Sequence, residues 1–413
     1  MGVERQASLM NQVDSLKTGK RFKKTKIGDI PVDWEVGKLK SVISLKYGEG
    51  LPENKREGKP YPVYGSNGIV GYHSKFLVEG PGIIVGRKGS IGSITWSDRD
   101  FWPIDTTYYI IADLNKANFR WLFYHLTYLR LNRLNAATGI PGLNRHVVLE
   151  KKITLPPLPE QKKIAEILST VDKAIEKSDK VIKKTKELKK GLMQELLTRG
   201  VGHKKFKKTK IGEIPVDWEV TKLNSIGILK GGSGFPEKYQ GYVDKKYFFL
   251  KVSDMNLPKN DIYINTAINT VDEEIREKIR CRVFPKNTII FAKVGAALLL
   301  NRRRILTCES GIDNNMMGLI VNQEYDYKFY YYVMSTIDFA KYVFSGALPS
   351  VNQSVLGDID VVCPLLVEQK KIAKILSAVD EYIEKEIAHK EKMEHIKRGL
   401  MQVLLTGKVR VKI

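Results

Sequence analysis

The chain is written twice. Residues 21–39 read RFKKTKIGDIPVDWEVGKL and residues 205–223 read KFKKTKIGEIPVDWEVTKL, with sixteen of nineteen positions identical. Further on, EQKKIAEILSTVD at 160–172 returns as EQKKIAKILSAVD at 368–380, with eleven of thirteen identical. The same offset, 368 − 160 = 208, carries GLMQELLT at 191–198 onto GLMQVLLT at 399–406. Such self-similarity restricts the fold to a unit made twice: a lead-in segment, a body and a long helix. The bodies have diverged inside a kept frame. Ile83-Ile84 and Gly89 match Ile289-Ile290 and Gly295, Asp105 matches Asp313, NFRWLFYHL at 118–126 matches DYKFYYYVM at 326–334, and Pro141 and Asn144 match Pro349 and Asn352. Short strand-like runs, such as PGIIVGRKGSIGSITW (81–96) and NTIIFAKVG (287–295), are broken by Gly, Pro and Asn. Each body is then α/β or α+β, and at about 135–160 residues is large enough to bury its own core.

The repeated helices decide how the bodies are joined. Residues 160–197 hold no Pro and one Gly, Gly191. Ile164, Leu168, Val171, Ile175, Ile182, Leu188, Leu192 and Leu196 recur at mostly three or four residues. That is the stripe of a helix packing on another helix. Ile372, Leu376, Val379, Ile383, Met393, Ile396, Leu400 and Leu404 repeat it within 368–405. A 38-residue helix is a rod of about 57 Å, and the natural partner for its single stripe is its own copy. Chain order makes the pair antiparallel, with a pseudo-twofold axis near its middle and the bodies expected at opposite ends. LKTGK at 16–20 echoes LLTGK at 404–408, and Ser8-Leu9-Met10 echoes Gly191-Leu192-Met193. The N-terminal segment is therefore expected beside the C-terminus. The expected organisation is an N-terminal segment 1–20, body one 21–155, helix one 156–200, body two 201–363, and helix two with the tail 364–413.

Charge points to the partner. Lys plus Arg exceed Asp plus Glu by 69 − 46 = 23, which favours a polyanion, nucleic acid before an acidic membrane surface. The polar N-terminus MGVERQASLMNQ argues against a secretory signal. The longest apolar runs, such as Val294–Leu300, are far too short to span a bilayer. Three cysteines, Cys281, Cys308 and Cys363, without CxxC spacing argue against a disulfide framework or zinc site and for a reducing, cytoplasmic setting. No GxxxxGK[ST] or HExxH is present. Leu155-Pro156-Pro157-Leu158 lacks the polar and aromatic neighbours that an adenine methyltransferase loop needs. The glycine-rich GRKGSIG at 86–92 suits a turn near phosphate or a plain hairpin turn equally well.

LPPLPEQKKIAEILSTVD, IGDIPVDWEV, GRKGSIG and the duplicated plan together resemble the specificity subunits of type I restriction–modification systems. The resemblance spans nearly the whole chain. It implies a noncatalytic DNA-recognition subunit in which two target-recognition domains are separated by an antiparallel two-helix coiled coil. Each domain would read one half of a split, asymmetric site in double-stranded DNA. The subunit would recruit two methyltransferase subunits, which two restriction subunits can join, with no membrane involved. The chain itself would bind no cofactor, while its partners would use S-adenosylmethionine, ATP and Mg. This sequence departs from the plan at Cys363 and Leu365-Leu366-Val367, where the first copy reads LPPLPEQ. The second helix junction is therefore expected to pack slightly differently.

Phosphate contacts supply affinity and base-edge contacts supply specificity. Candidates for DNA contact in body one are Arg87, Lys88, Ser90, Thr106, Thr107, Asn144 and Arg145. In body two they are Lys293, Arg302, Arg303, Asn314, Asn315, Asn352 and Gln353. Arg suits guanine, and Asn or Gln suits adenine, by bidentate bonding. The basic clusters Lys20–Lys26 and Lys204–Lys210 suit phosphates or an acidic partner better than bases. Helix packing is assigned to Ile164, Leu168, Val171, Ile175, Ile372, Leu376, Val379 and Ile383. Two other classes stay open: a stand-alone duplicated DNA-binding regulator, and a helical scaffold whose charge serves solubility.

Overall fold

The computed structural model describes residues 17–18, 21–134, 142–343 and 348–413. Most of the N-terminal segment 1–20, with its Ser8-Leu9-Met10 echo, and Pro141 lie outside the described residues. The chain divides into two compact units, Met1–Lys180 with Glu386–Ile413, and Val181–Lys385.

The first unit opens with a hairpin, Phe22–Thr25 against Gly28–Pro31. The next strand, Glu35–Lys38, pairs antiparallel with Lys152–Leu155, so the start of the body lies beside the start of the long helix. Between them a four-stranded antiparallel sheet runs in the order Ile43–Tyr47, Thr107–Ala112, Gly82–Gly86, Ile94–Ser97. A three-stranded sheet is formed by Trp102–Pro103, Tyr61–Gly65 and Gly68–His73. The residues 17–18 pair antiparallel with Val409–Arg410.

The second unit repeats the scheme. A hairpin joins Phe206–Thr209 to Gly212–Pro215, and Glu219–Lys222 pairs with Asp360–Cys363. A five-stranded sheet has the order Gly227–Gly231, Met316–Val321, Ile289–Ala292, Arg303–Leu306, Tyr263–Ile264. A second sheet of four strands orders Asn269–Val271, Tyr247–Leu250, Ser310–Ile312, Val283–Phe284. GRKGSIG turns a hairpin, because it joins the adjacent antiparallel strands Gly82–Gly86 and Ile94–Ser97.

Four helices matter most. They are α1 (Phe119–Leu129), α2 (Leu158–Leu196), α3 (Tyr327–Thr336) and α4 (Leu366–Leu404). Asn118 caps α1 through the Trp121 amide (2.9 Å), and Asp326 caps α3 through the Phe329 amide (2.8 Å). Pro159 sits in the first turn of α2, where a missing N–H costs nothing. Both long helices run 39 residues, about 58 Å. In the first unit Asp172 meets Lys397 (2.5 Å) and Asp179 meets Lys390 (2.7 Å). One number rises as the other falls, so the segments are antiparallel. In the second unit Lys189 meets Asp380 (2.5 Å), the same pair as Asp172–Lys397 with the two helices exchanged.

The apolar stripe is not only a helix–helix seam. Ile164, Leu168 and Val171 are buried in one core with Trp121, Leu122 and Tyr124 of α1 and with Met393, Leu400 and Leu404 of α4. Ile372 and Leu376 enter the second unit's core with Phe329, Tyr330 and Val333 of α3. Each long helix starts directly after a strand of its body, so its first turns pack against that body. Ile175 and Val379 are half-buried and Ile383 is buried. Leu188, assigned to the stripe, is 57% exposed. The α4 junction keeps its main bond: Gln369 donates to the Pro364 carbonyl as Gln161 does to Pro156, both at 2.8 Å. The difference is that Leu365 and Val367 stand exposed where α2 begins with Pro157 and Pro159.

Candidate nucleic-acid interface

In the first unit four segments converge at the end of the strand Gly82–Gly86. The Arg87 N–H donates to the Thr106 carbonyl (2.9 Å), and the Arg87 carbonyl accepts from the Leu143 N–H (2.9 Å). The Arg87 guanidinium donates to the Asp105 carbonyl (Nε 3.0 Å, Nη2 2.5 Å) and lies over the exposed Tyr47 ring at 5.4 Å. Arg145 approaches the same ring at 5.9 Å. Cations over an aromatic face are attracted by its quadrupole, so Tyr47 gathers two arginines on one surface. Burial, and then the Tyr47 hydroxyl, push the Tyr108 phenol up to about 12. It stays protonated and donates to the Leu143 carbonyl (3.0 Å). Lys88 and Ser90 are exposed on the hairpin turn.

The second unit has the same backbone knot with other side chains. The Lys293 N–H donates to the Asn315 carbonyl (2.8 Å), and its carbonyl accepts from the Val351 N–H (3.0 Å). Lys293 thus occupies the place of Arg87. Where Tyr47 ends its strand, the second unit has Gly231, and a Cβ there would stand 3.1 Å from the Lys293 Nζ. Burial raises the carboxyl pKa of Asp313, which accepts from the Asn315 amide (2.8 Å).

Several candidates need correction. Thr107 is wholly buried, and its hydroxyl donates to the Ile104 carbonyl (2.7 Å). Arg303 is 2% exposed, stacks on Phe339 at 3.8 Å and donates to the Ile337 carbonyl (2.8 Å). Neither side chain reaches the surface. Asn144 and Asn352 are helix N-caps. The Asn144 Oδ1 accepts from the His146 and Val147 amides (2.9 and 3.3 Å), and the Asn352 Oδ1 accepts from Val355 (2.8 Å). Bidentate pairing with adenine would break these caps. Thr106 is half-buried and Lys293 partly so, while Arg145, Arg302, Asn314, Asn315 and Gln353 are exposed. Among the described residues, no cluster of His, Cys, Asp and Glu could hold a metal ion, and no helix is long and apolar enough to cross a membrane.

The family model of the type I restriction modification DNA specificity domain matches residues 31–190 and again 215–395, one match per repeat. The chain belongs to that family. It is 30% identical over 410 residues to the type I restriction enzyme MjaVIII specificity subunit of Methanocaldococcus jannaschii, covering 93% of this chain and 94% of that one. The fold is that of the crystal structure of a type I restriction–modification S subunit from M. genitalium. That likeness has a TM-score of 0.62, 18% identity, and covers 94% of this chain and 98% of the other. This specificity subunit is therefore a DNA-recognition protein built from two copies of one domain.

The residues that tie each specificity domain to its own long helix were not among the sequence candidates. Buried Glu160 accepts from Trp34 Nε1 (2.9 Å) and from Arg410 Nε (2.6 Å). Arg410 also forks onto Asp33, and that bond is the main reason the Asp33 carboxyl sits below its usual range. In the second domain Glu368 accepts from Trp218 Nε1, from the Val201 amide and from the His203 ring, each at 2.9 Å. Glycines let each helix end reach its node. Gly200 and Gly407 have φ of +66° and +70°, and a Cβ on them would lie 2.7 Å from Trp218 and 3.2 Å from Trp34. Tyr124 donates to Asp172 (2.6 Å) and Tyr332 to Asp380 (2.7 Å). The signal was in the repeat: Trp, Glu, Gln and Asp are among the positions identical in both copies.

Proposed function

We propose that this chain is the noncatalytic sequence-reading subunit of a type I restriction–modification complex. Each domain reads one half of a bipartite, asymmetric site in double-stranded DNA. The helix pair sets the unread spacer between the halves and offers a platform to two methyltransferase subunits, which two restriction subunits can join. S-adenosylmethionine, ATP and Mg belong to those partners, and the complex works in the cytoplasm. The observation that carries this reading is the shared backbone knot with exchanged side chains. Arg87, Tyr47 and Arg145 in one domain correspond to Lys293, Gly231 and Gln353 in the other. One frame presenting two different polar surfaces suits two different sequences, because base edges are told apart by donor and acceptor pattern. The exposed lysines of the twin hairpins, Lys23 and Lys24 or Lys207 and Lys208, suit a partner met twice, either phosphates or an acidic protein surface.

Exchanging residues 40–150 for the matching body of a relative tests this. Sequencing of methylated adenines, in cells that also carry the methyltransferase subunits, should give one new half-site and one unchanged. An assembled, active complex in which both halves change, or neither does, would refute independent reading.

A further inference from the structure

The hairpin equivalent to GRKGSIG is built differently in the second domain. It joins the strands Ile289–Ala292 and Arg303–Leu306, and carries a short helical turn, Ala296–Leu299. Leu298 is buried beneath it, while Leu299 and Leu300 are 46% and 56% exposed. These leucines are held out firmly. The next residue, Asn301, adopts a left-handed φ of 52°. Its side chain donates to Asp338 (2.8 Å) and accepts from the Phe339 amide (2.9 Å) and from Arg303 (3.2 Å). On the other flank the Gly295 N–H donates to the Pro349 carbonyl (2.8 Å), next to exposed Leu348.

The surrounding sequence says what covers this tip. From Lys278 to Cys308 there are eight Lys or Arg and no Asp or Glu. Exposed Arg302 follows the tip, and Lys293 precedes it at the position of Arg87. An apolar point in a basic stretch of sequence, with the Asp338 carboxylate engaged by Asn301 at its flank, at the loop where the other domain places Arg87, Lys88 and Ser90, fits a polyanion with an apolar interior: the stacked bases of a duplex. We infer that Leu299 and Leu300 form a wedge that presses between two base pairs of the half-site read by the second domain. This rests on the DNA-reading function proposed above. Apolar wedges of this kind unstack and kink a step, and pyrimidine–purine steps yield most easily. The second domain therefore prefers a deformable step that no polar side chain reads.

The test uses the full chain with its methyltransferase subunits. The site is first mapped by methylation sequencing, and the half that survives exchange of residues 40–150 is assigned to the second domain. Duplexes carrying 2-aminopurine at successive steps of that half report unstacking. Wild type should brighten one step. L299S/L300S should leave it dark, bind about tenfold more weakly and accept more sequences there, with the other half-site unchanged. L299M/L300M keeps an apolar tip and should restore brightening, which separates a wedge from a folding defect. Equal affinity and equal fluorescence for L299S/L300S would overturn the wedge alone. Unchanged DNA binding with loss of the methyltransferase subunits would make the tip a protein-docking site and also overturn it. A wild-type complex indifferent to that half-site would instead refute the function on which the inference rests.

Discussion

If the helix pair spaces the half-sites, lengthening it should lengthen the spacer and leave both half-sites alone. The insertion point follows from the ion pairs. Asp172–Lys397, Asp179–Lys390 and Lys189–Asp380 all have residue numbers that sum to 569, so residues whose numbers sum near that value face each other. Breaks after Asp179 and after Ile387, summing to 566, lie at one level. Inserting four helix-forming residues at both breaks keeps Asp172–Lys397 and Asp179–Lys390 on one side and Lys189–Asp380 on the other. Among the described residues, the side-chain bond between the helices that straddles the cut is Ser178–Glu386 (3.4 Å). Each helix grows by about 6 Å. At about 3.4 Å per base pair the spacer can grow by at most about two base pairs. Four residues also turn each helix by about 40° beyond a full turn, which an apolar stripe about 100° wide partly absorbs. Seven residues overshoot by only about −20° and should add about three base pairs. Sequencing methylated adenines in cells carrying each variant and the methyltransferase subunits gives the spacer directly. An active complex with an unchanged spacer after both insertions would show that the domains, not the helices, set the separation.

Two further outcomes concern what holds each domain. Arg410→Met leaves the wholly buried Glu160 with Trp34 as its remaining side-chain partner and should cost about 3 kcal/mol in the unfolding of the first unit. His203→Ala should cost about 1 kcal/mol, because Trp218 and the Val201 amide still hold Glu368; equal losses in chemical denaturation would contradict the assigned roles. Burial pushes His125 down to about 4 from 6.5, so the folded state keeps it neutral while the unfolded chain takes up a proton below 6.5. Its contribution is therefore full above pH 6.5 and shrinks as pH falls toward 4. The difference between pH 7 and pH 5 is about 2 kcal/mol. His125→Val, which installs the residue of the second domain at Val333, should flatten the pH dependence of unfolding between those values. A slope equal to wild type would refute this.

The duplication, both long helices and the antiparallel pairing were legible because they rest on repetition and periodicity, which a chain displays along its length. The direction of a single side chain is decided by closure of the fold. Thr107 and Arg303 look like surface polar residues in sequence, yet each opens a strand with its side chain buried. Thr107 bonds the Ile104 carbonyl three residues back, and Arg303 the Ile337 carbonyl of another segment. Asn144 and Asn352 form a matched pair in the repeat, and the match reflects capping of a five-residue helix in both copies. Trp34 and Glu160 carry the repeat's signal, but their meeting at Arg410 does not show along the chain, for a different reason. The partners are 126 and 250 residues apart, and Arg410 has no counterpart in the first copy, where Gly202 stands at the 208 offset and His203 serves instead.

The knot at Arg87 and Lys293 suggests how such a domain can change what it reads without refolding. Both residues are fixed by their own N–H and carbonyl, groups that every residue except proline carries. The backbone part of the knot does not depend on the side chain, although the Arg87 guanidinium adds its own bonds to the Asp105 carbonyl, so the side chain can vary. What must vary with it is the neighbour it leans on. A planar guanidinium stacks well on an aromatic ring, and Arg87 has Tyr47. A lysine offers a point charge on a flexible stem, and Lys293 lies beside Gly231, where a bulkier residue would crowd its Nζ. The knot and its neighbour therefore exchange as a pair. Lys293→Arg alone would place a guanidinium over Gly231 with no ring beneath it, whereas K293R with G231Y recreates the arrangement of the first domain.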